Sequence, residues 1–89
     1  MAVYIVTYDL KEPGQRYDDL IAKIKSYGSW AKLGYSCFLI NTNDNAVQVR
    51  DNLKSVLVSN DKIYVGQTTT PAAWSNLPED VSNWIKSNL

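Results

Sequence analysis

The hydrophobic period of this chain changes in the same way twice. Val3 to Tyr8, VYIVTY, is β-branched and aromatic throughout and reads as a buried strand. Asp9 ends it ahead of the breaker pair Pro13-Gly14. Tyr17, Leu20, Ile21, Ile24 and Tyr27 then follow at i, i+3, i+4, i+7 and i+10, one helical stripe that Gly28 terminates as a C′ residue. Ser29 to Leu33 and Tyr35 to Thr42 (YSCFLINT) return to strand character, with Gly34 marking a turn or bulge between them. Asn43 or Asp44 is placed to cap a second helical stripe made by Ala46, Val49, Leu53, Val56 and Leu57. After SND, Ile63 to Val65 forms a last core strand.

Strand, helix, strand, strand, helix, strand is the βαββαβ order of an α+β domain of ferredoxin-like type. Two helices cover one face of its antiparallel sheet. The reading assigns residues 1–89 to a single domain, with a core over 1–66 and a C-terminal extension over 67–89. Within the extension, Thr68 to Thr70 can lengthen an edge strand that Pro71 ends. Pro78, Glu79 and Asp80 suit the start of a closing helix whose apolar stripe is Val81, Trp84 and Ile85, and Trp84 and Ile85 are expected to be buried. With both helices on one side, the core leaves the other face of the sheet bare, and the tail is expected to pack Trp74 and Trp84 over the sheet or across a subunit boundary. A short chain with such a face calls for a second copy, so the sequence predicts a homodimer.

Charge and residue usage narrow the chemistry. Lys and Arg number nine, as do Asp and Glu, with no basic tail. Nucleic-acid affinity then depends on a positive patch assembled by folding or dimerisation. Histidine is absent, which excludes Ser-His-Asp and Cys-His catalysis and His-ligated metals. The single cysteine, Cys37, lies in the apolar run CFLI and is expected to be a reduced, buried thiol. No apolar run is long enough for a membrane span, and MAVYIVTYDL has no basic leader, so a cytoplasmic location without membrane association is expected.

Tyr8-Asp9-Leu10 at the end of the first strand, Tyr27-Gly28 closing the first helix, Ser36-Cys37-Phe38 at the third strand and Asp61 before the last core strand together resemble the CRISPR-associated Cas-two superfamily. The Trp30 region and the Trp- and Pro-bearing tail bring the chain nearest its SinR-like and VapD-like relatives. The resemblance implies a ferredoxin-like homodimer. It also implies one of two functions: a metal-dependent endonuclease acting on RNA or DNA, with the aspartate ending the first strand as metal ligand, or a dimeric scaffold without chemistry. In this chain Asp9 holds the ligand position. The chain departs from the integrase subunit in having only Lys11 and Arg16 after the first strand, and Leu39 where an acidic residue is common.

The candidate catalytic residues are therefore Asp9, Ser36 and Tyr8. Arg16 and Lys11 are candidates for phosphate. Two copies of Asp9 meeting at a two-fold axis could hold Mg²⁺. The alternative use of Asp9 is to bond the backbone of the turn LKEPG. Glu12, Asp18, Asp19 and Asp61 read as turn residues or solvated helix charge. Of the strand tyrosines Tyr4, Tyr8, Tyr35 and Tyr64, alternation sends about half into the core and leaves the rest as stacking platforms. The favoured function is a catalytically silent dimer that binds nucleic acid, a protein partner or a small phosphorylated ligand. The Mg²⁺-dependent endonuclease is the alternative, and a toxin-antitoxin-like regulator a further one.

Overall fold

The computed structural model describes residues 1–11 and 14–89; Glu12 and Pro13, expected in a turn and as a breaker, lie outside the described residues. Seven elements follow one another: β1 (Ala2–Asp9), α1 (Gly14–Lys25), β2 (Trp30–Gly34), β3 (Cys37–Thr42), α2 (Ala46–Lys54), β4 (Lys62–Thr68) and α3 (Glu79–Asn88). The strands form one antiparallel sheet in the order β2-β3-β1-β4. The protein is thus an α+β domain with a four-stranded antiparallel sheet and, among the described residues, three helices. β1 is an inner strand; the crossover from β1 to β2 runs through α1 and that from β3 to β4 through α2.

Local chemistry sets the boundaries. α1 gives way to a turn in which the Gly28 amide donates to the Lys25 carbonyl, and Gly28 adopts φ +88°, the left-handed conformation that glycine reaches without strain. Gly34 sits at an irregularity in the β2–β3 register, the expected bulge. α2 is capped by Asn45, one residue beyond the expected positions. The Asn45 carboxamide accepts from the Gln48 amide while the Gln48 side chain accepts from the Asn45 amide, a reciprocal capping box. β4 is longer than Ile63 to Val65 because its pairing with β1 continues through Ile5↔Gly66 to Val3↔Thr68. Tyr64 supports this stretch: a Cβ on Gly66 would lie 2.6 Å from the Tyr64 hydroxyl, so the tyrosine ring covers the glycine.

Alternation along β1 divides the interior in two. Tyr4, Val6 and Tyr8 point to the side of α1 and α2, where they pack with Leu20, Ile24, Phe38, Ile40, Val49 and Leu53. Val3 and Ile5 point to the opposite side. There Val3, Ala31 and Leu39 pack with Val81 and Ile85 of α3, and Leu33, Leu77 and Trp84 border the cluster. The second face, which the core leaves bare, is therefore covered in part: of the two placements expected for the tail, the C-terminal extension takes the one over the sheet. Ile85 is buried as expected, but Trp84 is only half-buried. Its indole donates to the Ser29 hydroxyl at 3.2 Å, which keeps one edge of the ring near the surface. Asn41 donates to Asn88 at 2.8 Å and fixes the other end of α3.

Candidate functional site

The half of the second face that α3 leaves open lies at the C-terminal end of β1. Register places Asp9 opposite Lys62 and Thr7 opposite Tyr64, and all four side chains are exposed. Thr7 also faces Cys37 across the β1–β3 pair. Cys37 is half-buried rather than buried, because it stands where α3 no longer reaches; what cover it has pushes its thiol pKa up.

Asp9 lines an open depression of about 530 Å³ together with Leu10, Lys11, Asn60 and Lys62. A second depression of about 210 Å³ continues from it along Thr7 and Ile63 to Tyr64. Two lysines thus share a surface with Asp9. Among the described residues no group of three His, Cys, Asp or Glu side chains gathers anywhere. Mg²⁺ demands near-octahedral oxygen ligation, and a single carboxylate facing an ammonium across a strand pair does not by itself fit that demand. A second copy would have to contribute the remaining protein oxygens.

The other expected residues fall in different places. Tyr8 precedes Asp9 on an extended strand, so its side chain enters the opposite face, where it is 5% exposed. Its ring meets Tyr17 edge-on at 5.8 Å. Burial above all, then the neighbouring Tyr17, pushes its hydroxyl well above the ordinary tyrosine range. Tyr17 acts on that hydroxyl without satisfying it: the Tyr8 Oη has no hydrogen-bond partner in acceptable geometry, and the Tyr17 hydroxyl donates instead to the Tyr35 carbonyl. Ser36 stands just before β3, half-buried, with its carbonyl accepting from the Tyr8 amide at 3.2 Å. The fold thus brings Asp9 and Lys11 to one depression, while Tyr8 borders only its continuation and keeps its side chain buried on the other face.

Arg16 is engaged with a residue that sequence reading assigned to a turn. Its Nε donates to Asp61 Oδ2 at 3.2 Å and its Nη2 to Asp61 Oδ1 at 3.3 Å, a bidentate pair. Asp61 also accepts from the Lys11 amide at 2.9 Å and the Val58 amide at 3.1 Å, and its own amide donates back to the Val58 carbonyl. No part of the Asp61 side chain is exposed, yet it lies shallow: its partners cover it, and desolvation opposes the charge only weakly. The Arg16 guanidinium first, then the Val58 and Lys11 amides, lower its pKa from 3.8 to about 2.

The tyrosines divide in half as expected, although Tyr35 stands in the turn before β3 rather than on a strand, so alternation does not set its place. Tyr4 and Tyr8 are buried, whereas Tyr35 is 81% and Tyr64 62% exposed. The Tyr35 ring rests against Tyr17 at 5.6 Å, so its position in the β2–β3 turn is supported from behind. Sequence reading missed Asn60 and Lys62. A signal was present: β4 runs antiparallel to β1, so the residues that open β4 must stand beside those that close β1. No protein-family model matches the chain.

Proposed function

We propose that this protein is a homodimeric, Cas-two-like module of ferredoxin-like fold that binds nucleic acid in the cytoplasm without catalysing its cleavage. The observation that carries the reading is the lining of the Asp9 depression: Lys11 and Lys62 flank the one carboxylate there among the described residues, and exposed Tyr64 lies on its continuation. Two ammonium groups suit a phosphate backbone, and an exposed ring suits a base stacked on it. The same lysines disfavour a cation at Asp9. The βαββαβ element order and the strand order β2-β3-β1-β4 support the fold assignment. The free edge of β4 supplies surface for a second copy. Among the described residues no helix is long and apolar enough to cross a membrane.

The test combines mass, binding and cleavage. Light scattering should give twice the monomer mass of 10.0 kDa. Labelled RNA and DNA oligonucleotides should bind with an affinity that falls steeply as salt rises and that drops in Lys62→Ala, while remaining intact with Mg²⁺ present. Cleavage that chelator and Asp9→Ala both abolish, at unchanged melting temperature, would replace this reading with the metal-dependent nuclease.

A further inference from the structure

We infer that Asp61 is a positioning residue that holds the two walls of the Asp9 depression in register. The inference rests on the binding reading above and extends it to a side chain outside the depression's lining. One wall is Leu10 and Lys11, which follow β1; the other is Asn60 and Lys62, which open β4. Asp61 lies between the residues of the second wall and accepts from the backbone amide of the first, at Lys11. Its remaining acceptor capacity binds the Arg16 guanidinium from α1 and the Val58 amide from the end of the α2–β4 turn. Beyond the last β1–β4 pair at Asp9 and Lys62, one carboxylate therefore ties the chain after β1 and the start of α1, 50 and 45 residues away, to the α2–β4 connection.

The consequence is specific to charge. Each carboxylate oxygen accepts two of the four bonds, so an amide in place of the carboxylate keeps the shape but must break the two made to the oxygen that becomes NH₂. With the NH₂ in place of Oδ1 the Lys11 amide is released, and the backbone that carries the Lys11 ammonium is no longer tied to the wall that carries Lys62. A simple electrostatic role predicts the opposite sign. Removing a negative charge beside two lysines, and freeing Arg16, raises the local positive potential and tightens phosphate binding.

The experiment compares wild type, Asp61→Asn, Lys11→Ala and the double variant, using a fluorescein-labelled oligothymidylate over a salt series and amide hydrogen exchange on the free proteins. Positioning predicts that Asp61→Asn weakens binding by about tenfold and lowers the magnitude of the salt slope by about one phosphate contact, as Lys11→Ala does. Adding Lys11→Ala to Asp61→Asn should then cost little more, since the two changes remove the same contact. The Lys11 amide should exchange at least about tenfold faster in Asp61→Asn while the Val6 amide in β1 stays protected, a local effect that general destabilisation would not give. Tighter binding in Asp61→Asn, additive losses, or an unchanged Lys11 exchange rate would each overturn the inference alone. A wild type that binds no oligonucleotide at any salt would overturn the binding reading and this inference with it.

Discussion

On the face covered by α1 and α2, Val6, Leu20, Ile24, Phe38, Ile40, Val49 and Leu53 are wholly withdrawn from solvent and only Tyr4 and Tyr8 keep 5–6% exposure; under α3 the set is Val3, Ala31, Leu39, Val81 and Ile85, smaller in number and each still 4–7% exposed. The first set has two helices over it and includes the largest fully buried side chain, Phe38. The second has one helix, and covers only the half of the sheet nearest the start of β1. Past Ile5 the second face opens onto Thr7, Tyr64, Asp9 and Lys62. One face of the sheet is committed to stability and the other is divided between stability and a surface. Hydrophobic stabilisation follows apolar area removed from water, so the two faces differ in energy as well as in cover.

Truncations on either side give the largest test of that difference. Phe38→Ala deletes a fully buried ring among residues that cannot collapse onto the space, and should cost about 3–5 kcal/mol. Ile85→Ala removes a smaller side chain from a cluster near the surface, where relaxation is easier, and should cost about 2 kcal/mol. Urea denaturation of both variants checks the order. Equal losses would mean that α3 is as much a part of the core as α1 and α2.

A smaller effect separates the open end of the sheet from both clusters. Asp61 is held at a pKa of about 2, against 3.8 ordinarily. A depressed carboxylate stabilises the folded state fully above its unfolded pKa, and that contribution is lost as pH falls through the folded value. Wild type should therefore lose stability from about pH 4 down to about pH 2 through this group, and Asp61→Asn should show a flatter profile across the same window. Denaturation midpoints at a series of acid pH values decide it. Parallel profiles would show that the Arg16, Val58 and Lys11 donors do not distinguish the folded carboxylate from the unfolded one.

The same division explains what could be read from sequence. Residues whose placement is set by their own local pattern were legible: the VYIVTY strand, the Tyr17-to-Ile24 stripe, the Gly28 stop and the Gly34 bulge all lie where neighbouring residues direct them. The Asn45 cap was legible too through Gln48 three residues on, although the expectation fell on Asn43 or Asp44. The cover on the second face was legible in part: the bulk of Trp74 and Trp84 called for the tail to pack over the sheet or across a subunit boundary, but the apolar stripe of α3 does not state which of those surfaces it meets. The candidate site was legible at Asp9 and Lys11, which local order places at the end of β1. It was illegible at Asp61, whose partners Lys11 and Arg16 are 50 and 45 residues away and meet it only after the sheet has formed.

The smallest expected effect concerns Tyr8 and Asp9, adjacent in the chain and directed to opposite faces. Tyr8→Phe removes only a hydroxyl that is buried and lacks a hydrogen-bond partner, and leaves the ring to pack against Tyr17. A buried hydroxyl without a partner costs about 1–3 kcal/mol of desolvation, so its removal should leave the protein as stable as before or more stable by about 1 kcal/mol. Because the Tyr8 side chain lies on the helix-covered face, oligonucleotide binding should also be unchanged, whereas Tyr64→Ala on the open face should weaken it by about 1–3 kcal/mol for the base stacked there. A Tyr8→Phe variant that is less stable by more than about 1 kcal/mol would mean that the hydroxyl has a partner in solution, with Tyr17 the nearest group able to supply it. If binding or cleavage were lost at unchanged stability, Tyr8 would belong to the working surface, and the separation of the two faces drawn from β1 alternation would fail at the strand's last turn toward Asp9.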